Sequence, residues 1–225
     1  QALPSDLMPG DTPIKVCVID SGYDINHHDL PGYDRVTGVS QTGDLWDFPG
    51  DDHGTHVAGT IAALDNGIGV VGVHRGSNLS LHIVKVFNDN GDWSYASDLV
   101  DAIDSCVSAG AKIASMSLGG DYSSLESEAF DEARNAGILS VAAAGNSGNS
   151  AYSYPASYDS VVSIAATDAS NSLAGFSQRN NQVELAAPGV DVESTVIGNG
   201  YASFGGTSMA TPHVSAVAAL VWSHH

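Results

Sequence analysis

Short apolar runs of strand length alternate with longer segments of helical periodicity along the whole chain. The first run is IKVCVID at 14–20, and similar runs recur at 79–87, 111–118 and 138–145. Between the second and third of these runs, residues 94–110 carry apolar side chains at helical spacing, which indicates one buried helical face. This alternation is typical of βαβ units, so it predicts a parallel sheet.

The rest of the chain continues the same pattern. The further predicted helices are 53–64, 124–137 and 208–222, and the further predicted strands are 161–167 and 183–189. We therefore predict an α/β fold, a three-layer doubly wound sandwich around a mostly parallel sheet. No linker, repeat or low-complexity segment interrupts the chain, so residues 1–225 are predicted to form one domain.

Charge and hydropathy exclude two classes of partner. Acidic side chains number 26 against seven basic ones, which gives a formal net charge of -19. A polyanion such as nucleic acid would be repelled. No stretch approaches the roughly 20 apolar residues that a membrane span needs, so we predict no membrane partner. The first residues also carry no visible export signal.

Four polar residues lie at the ends of predicted strands or at the starts of predicted helices. An open α/β sheet binds its ligand in this region, outside the carboxyl ends of the strands. Asp20 closes the first strand, Asn146 follows the strand that ends near Ala144, and His53 and Ser208 each open a helix. A serine hydroxyl becomes a nucleophile when an imidazole takes its proton and a carboxylate orients that imidazole. Asp20, His53 and Ser208 are the residue types for these three roles.

The sequence around these four residues resembles the subtilisin-like serine protease family. The motifs that carry the resemblance are VIDSGYD around Asp20, HGTHVAGT from His53, AAGNSG around Asn146 and GTSMATPHV around Ser208. The likeness extends to DNGIGVVGV at 65–73, MSLGG at 116–120 and YPASYDSV at 154–161, so it covers nearly the whole chain.

The resemblance implies a serine endopeptidase that acts on protein or peptide substrates. Ser208 would attack the peptide carbonyl through an acyl-enzyme intermediate, and His53, oriented by Asp20, would act first as general base and then as general acid. The side chain of Asn146 and the backbone N–H of Ser208 would hold the oxyanion. The resemblance also implies a secreted, extracellular enzyme that binds its own propeptide.

The family's pocket for the side chain before the scissile bond maps onto three short segments. Its implied residues are Ser117, Leu118, Gly119, Gly120, Ala143, Ala144, Gly145 and Ser153. They are small and uncharged, which predicts a preference for large apolar or aromatic side chains. Ser153 falls at the pocket floor, where the family often has glycine, and its side chain would narrow the slot. The resemblance further suggests a cis bond between Tyr154 and Pro155.

A structural calcium ion is also implied by the resemblance. The loop LDNGIGV at 64–70 is similar to the family's high-affinity calcium loop. Hard cations prefer oxygen ligands, and such loops supply them as backbone carbonyls together with a carboxylate. The implied ligands are the side chains of Asp29 and Asn66 and the carbonyls of Leu64, Ile68 and Val70.

Two alternatives remain open from the sequence. Cys17 and Cys106 fall where both can point into the layer between sheet and helix, either as one disulfide or as two buried thiols. The second alternative concerns the activity. Instead of an endopeptidase, the chain would be an inactive or fragmentary family member that binds peptides in the same cleft without turnover.

The C-terminal end departs from the family pattern. The family continues beyond the helix that Ser208 opens, whereas this sequence ends at His225. We therefore expect a truncated or processed catalytic domain whose last helix exposes apolar surface. The side chains concerned are Val214, Val217, Leu220, Val221 and Trp222.

Overall fold

The computed structural model describes residues 8–93 and 96–225. Its strands are β1 (Ile14–Asp20), β2 (Val36–Ser40), β3 (Leu79–Lys85), β4 (Ile113–Met116), β5 (Leu139–Ala143), β6 (Val161–Thr167), β7 (Val183–Pro188), β8 (Val192–Val196) and β9 (Gly200–Phe204). Its helices are α1 (His53–Ala62), α2 (Ala96–Ser108), α3 (Ser124–Asn135) and α4 (Thr207–Trp222). Ser94 and Tyr95, the start of the predicted helix 94–110, lie outside the described residues.

Seven strands form one sheet in the order β2-β3-β1-β4-β5-β6-β7, and every neighbouring pair is parallel. The predicted parallel sheet is therefore confirmed. Strand β2 and the antiparallel hairpin β8-β9 were not predicted. Strand β2 lies at the sheet edge, alternates between covered and exposed positions, and contains Gly38, over which the ring of Trp46 packs so closely that a β-carbon would collide with it.

Both faces of the sheet are covered by helices. In β1, Val16 and Val18 belong to the core that includes side chains of α1 and α4, whereas Cys17 and Ile19 belong to the core that includes side chains of α2 and α3. This division follows from the twofold alternation of side chains along a strand. The predicted three-layer α/β architecture is confirmed.

The strand order places the end of β1 at a topological switch point. From β1 the chain adds β2 and β3 on one side and then crosses to β4 on the other side. In open α/β sheets, ligands bind in the crevice outside the carboxyl ends of the strands at such a point. Asp20, the last residue of β1, therefore lies at the expected position for a functional site.

A disulfide between Cys17 and Cys106 links β1 to α2. Both cysteines are fully buried. The structure thus decides between the two alternatives left open by the sequence, in favour of the bridge.

Helix α4 exposes part of its apolar surface. Val217 is 41% exposed and Val221 is 54% exposed, but Leu220 is only 3% exposed, so the expectation that it lies uncovered was wrong. Val214 and Val217 border a cavity of about 800 Å³ next to β7 and β8. In the described ranges, no helix combines the length and the apolar character that crossing a membrane requires.

Candidate active site

The end of β1 and the start of α1 bring a carboxylate and an imidazole into contact. Asp20 is fully buried, and its Oδ1 lies 2.7 Å from Nδ1 of His53. The backbone N–H of Ser21 donates to the same oxygen at 2.8 Å. With Nδ1–H directed at the carboxylate, Nε2 is the ring nitrogen left to accept a proton.

Nearby carboxylates control the basicity of His53. The charge of Asp20 raises the pKa of His53 above its ordinary value, desolvation opposes this, and the hydrogen bond to Asp20 and the charge of Asp51 raise the pKa further. A raised pKa means that the neutral imidazole, which is the form that accepts a proton, becomes the major form only at a higher pH than in an ordinary histidine. The arrangement is therefore suited to a general base that works best above its ordinary pKa.

Ser208 lies in the first turn of α4, which packs against α1. Its hydroxyl donates to the carbonyl of Ser117 at 3.3 Å. Within residues 8–93 and 96–225, no hydrogen bond joins His53 to Ser208. The structure therefore pairs Asp20 with His53 and places Ser208 on the neighbouring helix, without the hydroxyl–imidazole contact. In enzymes without bound substrate, such contacts are often long and tighten only in the complex.

Pro212 explains a second contact between Ser208 and Ser117. A proline inside a helix has no N–H to offer the carbonyl four residues earlier, which here belongs to Ser208. The hydroxyl of Ser117 donates to that carbonyl at 2.7 Å instead. The predicted pocket residue Ser117 therefore also fixes the backbone of the serine.

The side-chain amide of Asn146 has a fixed orientation. Its Oδ1 accepts from the backbone N–H and from the hydroxyl of Thr207, at 2.8 Å and 2.9 Å. The amide nitrogen is thereby left as the donor that can face a ligand. Thr207 is fully buried and was missed at the sequence level, although its position directly before Ser208 was a usable signal.

A cavity of about 330 Å³ opens beside Ser208 and Asn146. Six of the predicted pocket residues line it: Ser117, Leu118, Gly119, Ala143, Gly145 and Ser153. Gly120 and Ala144 do not. Gly120 forms an isolated bridge with Tyr154, and the backbone N–H of Ala144 bonds to the carbonyl of Ile164.

The residues that line the cavity are uncharged, and two of them besides Thr207 were not predicted. Ser147 and Gln178 line the cavity, and Gln178 lies against Gly145, where a β-carbon would collide with its amide. On the opposite side, a β-carbon at Gly119 would collide with the hydroxyl of Ser153. The bond between Tyr154 and Pro155 is cis.

The loop 64–70 folds around the side chain of Asp29, which is fully buried. Asp29 Oδ2 accepts from the backbone N–H of Val70 at 3.0 Å and from the hydroxyl of Tyr201 at 3.1 Å. Asp29 Oδ1 has no hydrogen-bond partner among the described residues. Asn66 Oδ1 accepts from the N–H of Ile68, which closes the loop at 3.1 Å.

This loop passes a chemical test for a calcium site. A fully buried carboxylate oxygen without a partner is costly unless a cation or a donor compensates it. No group of three or more His, Cys, Asp or Glu side chains that could hold a metal occurs in the described part of the chain, so such a site would depend on carbonyl and amide oxygens. These are the ligands that calcium accepts readily.

Comparison with known proteins agrees with this geometry. The family model described as the subtilase family matches residues 11–225. Subtilisin DY from Bacillus licheniformis is 44% identical over 217 residues, which cover 94% of this chain and 77% of that protein. Alkaline elastase YaB from Bacillus sp. (strain YaB) is 46% identical over 214 residues, covering 93% of this chain and 54% of that protein.

A solved structure of a subtilisin-like protease is also similar to this chain. The psychrophilic subtilisin-like protease Apa1 from the Antarctic psychrotroph Pseudoalteromonas sp. AS-11 superimposes with a TM-score of 0.78 at 47% identity, over 86% of this chain and 48% of that chain. The chain thus spans between about half and about three-quarters of the length of these relatives. With its parallel sheet, the Asp20–His53 pair and this level of identity over nearly its whole length, the chain belongs to the subtilase family of serine endopeptidases.

Proposed function

We propose that this chain hydrolyses peptide bonds with Ser208 as nucleophile. The observation that carries the proposal is the buried carboxylate of Asp20, 2.7 Å from the imidazole of His53, at the carboxyl edge of the sheet. A carboxylate in this position stabilises the imidazolium that forms when the serine gives up its proton. The helix that carries Ser208 packs against the helix that carries His53.

In the proposed reaction, His53 Nε2 accepts the hydroxyl proton as Ser208 Oγ bonds to the peptide carbonyl carbon. The negative charge on the carbonyl oxygen is stabilised by the side-chain amide of Asn146 and the backbone N–H of Ser208. His53 then donates the proton to the leaving amine, which departs and leaves an acyl-enzyme. Water, deprotonated by His53, hydrolyses that ester and restores Ser208.

A second candidate function is peptide binding without turnover. It is favoured by one observation, that the Ser208 hydroxyl bonds to the Ser117 carbonyl and not to His53. Hydrolysis of a fluorogenic peptide, together with labelling by a fluorophosphonate probe, separates the two candidates. A folded protein that binds peptide but neither cleaves it nor reacts with the probe is the binder.

The cavity next to Ser208 supports a preference for uncharged side chains before the scissile bond. The residues that line it carry no charge to select lysine, arginine, aspartate or glutamate. Its volume of about 330 Å³ lies at the small end of ligand pockets. We propose that large apolar or aromatic side chains enter it, and that the Ser153 hydroxyl, which points at Gly119, limits their size.

The variant Ser153→Gly is expected to raise kcat/KM about tenfold for a phenylalanine substrate relative to an alanine substrate. Removing the side chain widens the slot. It also removes a hydroxyl that would have no hydrogen-bond partner beside an aromatic ring. One such change in a pocket alters the free energy of transition-state binding by roughly 1–3 kcal/mol. Matched peptides that differ only at the residue before the scissile bond measure the ratio. Ser150→Gly, at an exposed loop position outside the cavity, is the control. An unchanged ratio would show that Ser153 does not limit the slot.

We propose that Ca²⁺ binds in the loop 64–70. The residues that would hold it are Asp29 and Asn66 through side-chain oxygens, and Leu64, Ile68 and Val70 through their carbonyls. The bound ion would neutralise the buried charge of Asp29 and tie the loop to the segment before β2. The partnerless Oδ1 of Asp29 supports this assignment.

Removal of calcium with a chelator is expected to lower Tm by roughly 5–10 °C. A ligand present at 100 times its Kd stabilises the native state by about 2.7 kcal/mol, and each kcal/mol shifts Tm by about 2–4 °C in a chain of this size. Differential scanning calorimetry with calcium and with chelator measures the shift, which Asp29→Asn should abolish. Asp65→Asn, an exposed carboxylate in the same loop, should keep it. Identical Tm values in calcium and in chelator exclude the site.

We further propose a secreted enzyme that associates with its own propeptide. The fully buried disulfide between Cys17 and Cys106 supports an oxidising compartment, since structural disulfides are rare in the cytosol. Co-expression with the propeptide, followed by measurement of complex formation, tests the association.

A further inference from the structure

Ser21, the residue after Asp20, is bonded at each of its polar atoms. Its N–H donates to Asp20 Oδ1 at 2.8 Å, and its carbonyl accepts from the buried ammonium group of Lys85 at 2.7 Å. Its hydroxyl donates to Asp51 Oδ1 at 2.7 Å. Ser21 is 2% exposed, so its bonds to Asp20 and Lys85 are buried, whereas its bond to Asp51 is partly buried. The turn after Asp20 is therefore held from three directions.

The same bonds reach the first turn of α1. Asp51 Oδ1 also accepts from the backbone N–H of His53 at 2.8 Å, and the hydroxyl oxygen of Ser21 accepts from the N–H of Gly54 at 3.0 Å. The first N–H groups of a helix have no partner within the helix. Ser21 and Asp51 supply these partners here.

The residue at the capping position of α1 does not take this role. Asp52 makes no side-chain capping bond, and its Oδ1 accepts instead from the N–H of Ile197, between β8 and β9. The start of α1 is therefore capped by Ser21, which directly follows β1, and by Asp51, which precedes the capping position. This ties the helix that carries His53 to the strand that carries Asp20.

We propose that Ser21 and Asp51 are positioning residues, and that their hydroxyl–carboxylate bond holds the His53 ring against Asp20 in the geometry that catalysis needs. The proposal rests on the function proposed above. Neither residue is placed to touch the reacting atoms, so both act through His53 and Asp20. A misplacement of about 1 Å in such a pair is enough to lower turnover roughly 100-fold.

Asp51 adds a second contribution through its charge. The charged groups that raise the pKa of His53 are Asp20 from β1 and Asp51 from the segment before α1. The titratable group nearest to them on α1 is His56, whose own pKa is lowered by burial and by the charge of His53. Lys85, which reaches the other side of Ser21, is paired with Asp89 at 2.8 Å. The bond and the charge are separable, because asparagine at position 51 keeps an oxygen that can accept both hydrogen bonds but loses the charge.

The test compares Ser21→Ala, Asp51→Ala and Asp51→Asn, with Asp52→Asn as the matched control for loss of a neighbouring charge. We expect Ser21→Ala and Asp51→Ala to lower kcat about 10- to 100-fold while KM changes little, since the pocket is untouched. Asp51→Asn should keep most of kcat and move the acid limb of the kcat/KM profile to lower pH. Asp52→Asn should move neither. Thermal unfolding of each variant identifies any that fail to fold.

Two results would each overturn one part of the proposal. Wild-type kcat in folded Ser21→Ala and Asp51→Ala would overturn the positioning role, and an acid limb for Asp51→Asn that coincides with that of Asp52→Asn would overturn the charge contribution of Asp51. If the wild-type chain itself has no turnover, the proposed function fails, and the NMR resonance of the His53 Nδ1 proton still tests the positioning role. A resonance that shifts in Ser21→Ala but not in Asp52→Asn supports this role, and unchanged resonances in Ser21→Ala and Asp51→Ala refute it.

Discussion

Replacing Ser208 with alanine is expected to abolish peptide hydrolysis and labelling by a fluorophosphonate probe. The loss in kcat should be on the order of 10⁶-fold, which is the magnitude known for loss of the nucleophilic serine in subtilisin. The reason is that Ser208 Oγ is the atom that forms the covalent intermediate, and no other group beside His53 replaces it in the proposed reaction. Active-site titration and intact mass spectrometry of the labelled protein measure both effects.

Ser147→Ala is the control for Ser208→Ala. Ser147 lines the same cavity, and its hydrogen bond to Gln178 runs through its backbone N–H, so alanine should leave the cavity intact. This variant should keep turnover and labelling. Probe attached to Ser147, or undiminished hydrolysis by Ser208→Ala, would contradict the assigned nucleophile. Absence of labelling in a folded wild-type protein would favour the peptide-binding alternative.

Most of the fold follows from local sequence pattern. The buried strands β1, β3, β5 and β6 are short apolar runs, and periodicity identifies runs of this kind well. Strand β2 and the hairpin β8-β9 are different, because they are only partly buried and contain polar residues and glycine. Their structure depends on what packs against them, such as Trp46 over Gly38. That contact depends on how the loop after β2 folds back over the strand, which hydrophobic periodicity does not show.

The site shows the same division. Asp20, His53, Asn146 and Ser208 could be selected as candidates, because each sits in a motif at the end of a predicted element. The residues that orient them could not, because their contacts span long stretches of chain. The hydroxyl of Ser21 meets Asp51 across 30 positions, and Thr207 meets Asn146 across 61 positions.

These missed residues and the predicted Ser117 share a physical role. Each satisfies a hydrogen-bonding group that would otherwise lack a partner at an element end, such as the first N–H groups of α1 or the carbonyl of Ser208 above Pro212. Serine, threonine and aspartate do this in many proteins without catalytic consequence. Only the fold reveals that the groups they satisfy here carry His53, Asn146 and Ser208.

Removal of the disulfide is expected to produce the largest loss of stability. Cys17 and Cys106 are separated by 89 positions, and cross-linking a loop of about that length lowers the entropy of the unfolded chain by the equivalent of about 4–5 kcal/mol. The disulfide also joins the interior strand β1 to α2, so its loss affects the strand that positions Asp20. We expect Cys17→Ala/Cys106→Ala to lower Tm by roughly 10–20 °C.

Calorimetry of the double variant beside the wild type measures this loss, and Ser108→Ala, at an exposed position of α2, is a control for changes at the helix. Because both cysteines are fully buried, reductant alone should release no thiols from the native protein, whereas reductant with denaturant should release two. Thiol titration distinguishes these cases. A double variant within about 1 kcal/mol of the wild type would mean that the unfolded chain keeps β1 and α2 together without the bridge, since residual structure in the unfolded state reduces what a cross-link contributes.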